Sequence, residues 1–201
     1  MSNEYLVLRS NTDAHQEIKK SKFTAYLAKA ASQDEAMAFL EEIRKLHPDA
    51  GHHCWAFIIG DPEGSNIIGM SDDGEPHGTA GKPILNVLIH KKIGDIIAVV
   101  VRYWGGTKLG TGGLVRAYGG TVQLAVEQAV LENKINTAEL SFSVPFASEG
   151  ATRRLFQNYG YPLADAQYSN RVNWNITLPE KIINELKQSL NDITRGAVIF
   201  D

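Results

Sequence analysis

The chain has almost no cysteine, no surplus of basic charge and no long apolar run, and each shortage removes a class of protein. One cysteine, Cys54, in 201 residues cannot close an internal disulfide or build a thiolate zinc site, which fits a reducing compartment. Lys and Arg total 20 against 23 Asp and Glu, and neither the first two-thirds nor the last third is basic. Any nucleic-acid contact must therefore be local. No uninterrupted apolar segment reaches the length of a membrane span, and the amino-terminal residues lack the cationic, apolar pattern of a secretory signal. A cytoplasmic protein with no membrane partner is expected. Low-complexity tracts and short tandem repeats are also missing. Hydrophobic residues still make up 43% of the chain, enough to bury a real core, and the length sits between one large domain and two small ones.

Periodicity favours two domains of α+β class, 1–136 and 137–201, with the boundary in the polar stretch from Asn133 to Thr137. In the first, residues 15–29 read as a strand pair. Ser32 and Glu35 form a capping box ahead of Ala36, Phe39, Leu40 and Ile43 at helical spacing, and that helix should stop at Pro48. His52 to Ile59 is a strand with a partner over 66–71, and Pro83 opens a helix through Ile84, Leu85, Val87 and Leu88. Ile93 to Tyr103 is a strand covered on both faces. A helix is predicted from about Gly113 to Glu132, with Leu114, Ala117, Thr121, Leu124 and Ala125 inward. In the second domain, Leu140, Phe142 and Val144 alternate with polar residues, a helix carries Leu155, Phe156 and Tyr159, and residues 161–168 form a strand. Val172, Trp174, Ile176 and Leu178 then alternate, Pro179 opens a helix with Ile182, Ile183, Leu186 and Leu190, and Val198 to Phe200 closes a ferredoxin-like βαββαβ pattern.

Two runs carry more than structural loops require. In Arg102-Tyr103-Trp104-Gly105-Gly106-Thr107-Lys108-Leu109-Gly110-Thr111-Gly112-Gly113 a glycine-rich turn links a buried strand to a helix. Consecutive N–H groups can point into one concavity there, with the helix dipole behind it and Arg102 and Lys108 beside it, so a phosphate fits. Arg116, read as lying in the first helical turn, is on the wrong end of that dipole. It faces either an external anion or an internal one, namely Asp72, Asp73 or Glu75. Lys108 precedes Gly110, so this is not a Walker loop, and no G-x-G-x-x-G follows the strand.

The second run, Ser71-Asp72-Asp73-Gly74-Glu75-Pro76-His77-Gly78-Thr79-Ala80-Gly81, has two readings. Asp73-Gly74 and Glu75-Pro76 are good turn chemistry, and Asp72 or Thr79 can cap backbone amides. Alternatively Asp72, Asp73, Glu75 and His77 offer acceptors for a cation or a base. His52 and His53 are successive strand residues on opposite faces and cannot share one ion, and Cys54 reads as a packed thiol. Trp55, Trp104 and Trp174 default to core; an exposed one would stack bases.

The two runs, together with Ser21-Lys22-Phe23 and His52-His53-Cys54-Trp55-Ala56, resemble the signature of the IMPACT family in its bacterial YigZ-type form. The resemblance implies an amino-terminal domain like domain two of small-subunit ribosomal protein five and a carboxy-terminal domain like domain five of elongation factor G. Both of those bind RNA or ribosomes. Eukaryotic members are translational regulators that restrain the general-control kinase by occupying its activator. Residues and resemblance together point to a non-catalytic binding protein with RNA, the ribosome or a translation-associated protein as partner. Its anion-binding or RNA-binding surface comprises Arg102, Gly105, Gly106, Lys108, Gly110, Thr111, Gly112, Gly113 and Arg116. No catalytic residue, cofactor or metal is assigned. Two other classes stay open: a metal-assisted enzyme acting on a small phosphorylated substrate through the acidic cluster, and a protein-interaction module.

Overall fold

The computed structural model describes residues 4–65 and 67–201. The chain is a mixed α+β protein of two compact units, the first ending at Lys134 and the second beginning at Ile135. Among the described residues no helix is long and apolar enough to cross a membrane.

The first unit is built on an antiparallel sheet. Its strands are β2 (Thr12–Ile18), β3 (Ser21–Lys29), β4 (His52–Ile59), β5 (Ile67–Ser71) and β6 (Ile96–Tyr103), in the order β2-β3-β6-β4-β5. Strand β1 (Glu4–Leu8) pairs instead with β7 (Leu131–Ile135). Central β6 is buried from Ile96 to Arg102 because both its faces are covered. Phe23, Ala25, Cys54, Ala56 and Val100 pack under α2 (Gly81–His90) and α3 (Thr111–Gln128), while Phe57, Ile97, Val99 and Val101 pack on α1 (Gln33–Leu46). Helix α1 starts where the capping pattern puts it: Ser32 Oγ accepts from Glu35 N–H at 3.2 Å, and Glu35 reaches back to Ala31 N–H at 2.8 Å.

In the first unit the structure shifts several boundaries of the sequence reading. Helix α3 spans Thr111–Gln128 rather than 113–132; the chain then leaves it to pair with β1, and Arg9 N–H donates to Val130 O at 2.9 Å. Leu124 is 36% exposed, since Tyr118 and Val122 complete the inward stripe of α3. The hairpin predicted over 15–29 begins at Thr12. The partner strand predicted over 66–71 is β5, except that Asn66 lies outside the described residues.

The second unit runs β8 (Thr137–Val144), α4 (Glu149–Asn158), β9 (Gln167–Tyr168), β10 (Val172–Pro179), α5 (Glu180–Ile193) and β11 (Ile199–Phe200). Its sheet order, β11-β8-β10-β9 with antiparallel neighbours, is the split βαββαβ arrangement. Phe142 stacks on Phe156 at 5.3 Å and on Trp174 at 5.5 Å in its core. The strand predicted over 161–168 shrinks to Gln167–Tyr168. Pro162 lacks a ladder donor, and Leu163 O accepts from Arg153 at 3.0 Å instead of from a neighbouring strand.

Where the first unit ends, a buried carboxylate holds the chain. Asp95, 2% exposed, accepts from Tyr5 OH and from Gly60 N–H at 2.8 Å each, and from Lys134 Nζ at 2.5 Å. Burial opposes its ionisation, but Lys134, Gly60 N–H and Tyr5 outweigh that and hold its pKa below the ordinary value. Asp95 therefore stabilises the fold above the ordinary carboxylate pKa of about 4, and the contribution disappears as pH falls through the lowered folded value. Asp95→Ala should cost about 2 kcal/mol at neutral pH by stranding Gly60 N–H and Tyr5 OH. Urea unfolding should show the wild type losing that margin in acid while the variant's curve is flatter there.

Candidate functional site

Arg102 is the last buried residue of β6, and its register partners are Phe23 on β3 and His52 on β4. A guanidinium in that position, with its side chain 7% exposed, requires a counter-ion. Glu75 provides it: Nη1 donates to Oε1 at 2.6 Å. Tyr118 of α3 donates its hydroxyl to the same oxygen at 2.7 Å. Burial, with Cys54 and Glu75 nearby, pushes the Tyr118 pKa far above the ordinary tyrosine value, so it remains a donor. One carboxylate thus joins the acidic loop, the central strand and α3. Arg102 is not left fully satisfied. Nη2 reaches Ser21 Oγ only at 3.5 Å, and Nε is buried without a hydrogen-bond partner among the described residues.

The rest of the acidic run is structural. Asp72 O accepts from Glu75 N–H at 2.9 Å, and Asp73 (φ 42°) and Gly74 (φ 85°) take the left-handed conformations of a tight turn. The Asp72 carboxylate accepts from Gly78 N–H at 2.7 Å and from Ala80 and Gly81 N–H at 2.9 Å each, at the start of α2. Burial acts to raise its pKa, but these amides and His77 outweigh burial and leave it lowered. Asp73 accepts from His53 N–H at 2.6 Å and lies 3.7 Å from Arg44. His77 stands in solvent, 3.8 Å from Asp72. The four side chains do not converge on one point. Among the described residues no group of three His, Cys, Asp or Glu is placed to hold a metal ion.

The two runs meet at a cleft of about 410 Å³, where Glu75 and Pro76 face Arg102, Trp104, Lys108, Gly110 and Thr111, with His52, Leu109 and Leu114 completing the lining. Gly105 positions the glycine loop by close approach: a Cβ there would lie 1.9 Å from the Lys20 carbonyl carbon. Its N–H donates to Ser21 Oγ at 3.1 Å. Gly110 (φ 74°) begins α3 with no side-chain cap, and no acid occupies the first turn. The helix's first amides and the positive end of its dipole are left for another partner. Beside the cleft, Leu109 separates it from a hollow of about 170 Å³ lined by Ile18, Lys19, Gly113 and Arg116.

Of the residues singled out from sequence, Arg102, Lys108, Gly110, Thr111 and Glu75 line the cleft, and Gly113 and Arg116 line the smaller hollow. Gly105, Gly106 and Gly112 line neither. Two expectations change. Arg102 is neutralised by Glu75 rather than held open for a ligand. Arg116 lies in the second turn of α3, because the helix starts at Thr111; it is exposed and forms no ion pair among the described residues, so Asp72, Asp73 and Glu75 are not its partners. Sequence reasoning weighed His52 and Trp104 but assigned neither to the site. Trp104 is 65% exposed, not core, and the sign was available: it stands past the end of a buried strand, before two glycines that cannot cover it. His52 Nδ1 lies 2.8 Å from Asp73 O; a carbonyl only accepts, so Nδ1 carries the proton and Nε2 is the acceptor in the neutral ring. His53 faces the other way, toward His47 O at 3.1 Å.

Fold and site define a two-unit α+β protein with an aromatic, partly cationic cleft at the start of a helix. The family model described as Impact N-terminal domain matches residues 19–126, and that described as a domain of unknown function, DUF1949, matches residues 142–197. The chain belongs to the IMPACT family. It is 41% identical to the IMPACT family member YigZ of Escherichia coli over 183 residues, 91% of this chain and 90% of that one. An IMPACT family member of Haemophilus influenzae is 39% identical over 197 residues, 98% of this chain and 96% of that one. A crystal structure described as that of a hypothetical protein superposes with a TM-score of 0.69 at 37% identity, covering 100% of this chain and 97% of that chain.

The close seat of Gly105 on the Lys20 backbone is testable. Gly105→Ala should destabilise the protein by about 2–3 kcal/mol, because backbone rather than a flexible side chain must give way. Thermal unfolding of the variant beside the wild type measures it; an unchanged midpoint would mean that the loop does not depend on this packing.

Proposed function

We propose that this protein binds single-stranded RNA during translation, through the cleft at the start of α3 and without catalysing a reaction. The observation that carries this reading is the exposed Trp104 in one cleft with Lys108 and the uncapped amides at Thr111. A base has a π-face for Trp104, and the phosphate attached to it has a cation and a helix N-terminus within the same 410 Å³. With a net charge of −3 the protein has no general attraction for polyanions, so recognition is confined to this face. Lys19 and Arg116 next to it would carry the neighbouring phosphate. The family resemblance supports the setting: on it, residues 1–136 are similar to domain two of small-subunit ribosomal protein five and residues 137–201 to domain five of elongation factor G, and eukaryotic relatives regulate translation.

A protein-interaction module is the second reading, and β5 favours it. This strand ends the sheet, and Ile67, Ile68 and Met70 on it are 51%, 41% and 50% exposed. An uncharged apolar edge is suited to a partner strand. The metal-assisted enzyme loses support because its acidic cluster does not converge.

Fluorescence anisotropy with a labelled RNA oligomer separates the readings. Trp104→Ala should weaken binding about tenfold, within the 1–3 kcal/mol typical of one base stacked on an aromatic side chain. Lys108→Ala should lower affinity and flatten the dependence of log K on log salt by about 0.7, the single-strand value for one phosphate. Absent RNA binding, together with a co-purifying protein that resists ribonuclease, would move the assignment to the β5 edge.

A further inference from the structure

We propose that the cleft selects guanine over the other three RNA bases, reading it with the Glu75 carboxylate and His52 Nε2 while Trp104 stacks on its face. The proposal rests on the RNA-binding reading and specifies which base that site prefers.

Glu75 receives both of its hydrogen bonds, from Arg102 and from Tyr118, on Oε1. Oε2 makes no hydrogen bond among the described residues, and Glu75 lines the cleft. Asp73 O takes the proton-bearing Nδ1 of His52, leaving Nε2 as that ring's acceptor, 3.9 Å from Glu75 Oε1. Glu75 Oε2 and His52 Nε2 are thus the two acceptors without a donor among the described residues lining the cleft. A ligand edge that brings two adjacent donors satisfies both; an edge that mixes donor and acceptor sets a lone pair against a carboxylate.

Among the RNA bases, one presents two neighbouring donors on its Watson–Crick edge. Guanine carries N1–H beside the N2 amino group. Adenine and cytosine place a ring-nitrogen acceptor next to their amino group, and uracil flanks its single N–H with two carbonyl oxygens. Glu75 is also well prepared to accept. Arg102 and Tyr118 fix the carboxylate in one orientation, so little freedom is lost when the base arrives. The side-chain positions follow from the fold. His52 and Arg102 are cross-strand partners, and the tight turn at Asp73-Gly74 places Glu75 on Arg102 while offering Asp73 O to His52.

The test uses the full chain and four labelled oligomers: oligouridylate alone, and the same oligomer with one central guanosine, adenosine or cytidine. The guanosine oligomer should bind about tenfold more tightly than each of the others, the scale of one bidentate base contact. His52→Phe removes one acceptor and keeps both members of the buried ion pair, Arg102 and Glu75. It should reduce the guanosine preference several-fold. Glu75→Gln should abolish the preference; if it does not fold, His52→Phe and the wild-type comparison decide alone. Equal affinity for all four oligomers overturns guanine selection and leaves RNA binding standing. Failure of the wild type to bind any of the four overturns both. A preference that survives His52→Phe unchanged overturns the role given to the ring.

Discussion

The ion pair between Arg102 and Glu75 is the constraint on which the site depends. Arg102 sits on the central strand of the sheet, 7% exposed, where an unmatched cation would be very costly. Its partner lies 27 residues earlier, in the acidic loop. Pairing draws that loop across the open ends of β4 and β6, and Tyr118 extends the link to α3. The cleft is the space left when three elements are tied to one carboxylate. Asp72 then fastens the far side of the loop to α2 through three amides.

Division of labour among like residues follows from this. Asp72, Asp73 and Glu75 occupy four consecutive positions with Gly74, yet one caps a helix, one holds a strand amide and one neutralises a buried arginine. Cations divide in the same way. Arg102 is architectural, while Lys108 and Arg116 form no ion pair among the described residues and stand at the two hollows separated by Leu109. Lys19 and Lys20, at φ 46° and 66°, occupy the left-handed region in the β2–β3 turn, and Gly105 packs directly against that backbone. Strain in the hairpin and close approach by the loop occur at one place, which fixes the cationic rim relative to the sheet.

Much of this could be read from the residues. The unbroken apolar run of β6 identified a strand covered on both faces, Ser32 and Glu35 marked the start of α1, and alternation in Val172 to Leu178 located β10. Strand β1 escaped notice because its pairing with β7 joins residues at opposite ends of the first unit, a relation without local signal. The site was legible as two loops and not as one cleft. Spacing shows that Asp73-Gly74 turns and that Gly110 precedes a helix; it does not show that Glu75 reaches Arg102 rather than a ligand. Core was only the default for Trp104, and its place between a strand end and two glycines was the better guide. Arg116 was misplaced by a two-residue error in a helix start, enough to shift it from the first turn to the second.

A binding face organised by a buried ion pair makes one claim above the others: Glu75 and Arg102 act as a unit. A double-mutant cycle with Glu75→Leu, Arg102→Met and the combined variant, read by urea unfolding, tests it most directly. Each single change should cost about 3–5 kcal/mol by leaving a buried charge unmatched, and the pair together should cost much less than their sum, giving a coupling of at least about 2 kcal/mol. Single costs that add to within about 0.5 kcal/mol would show that the two groups are independent, and the cleft would then owe its shape to something other than this pair.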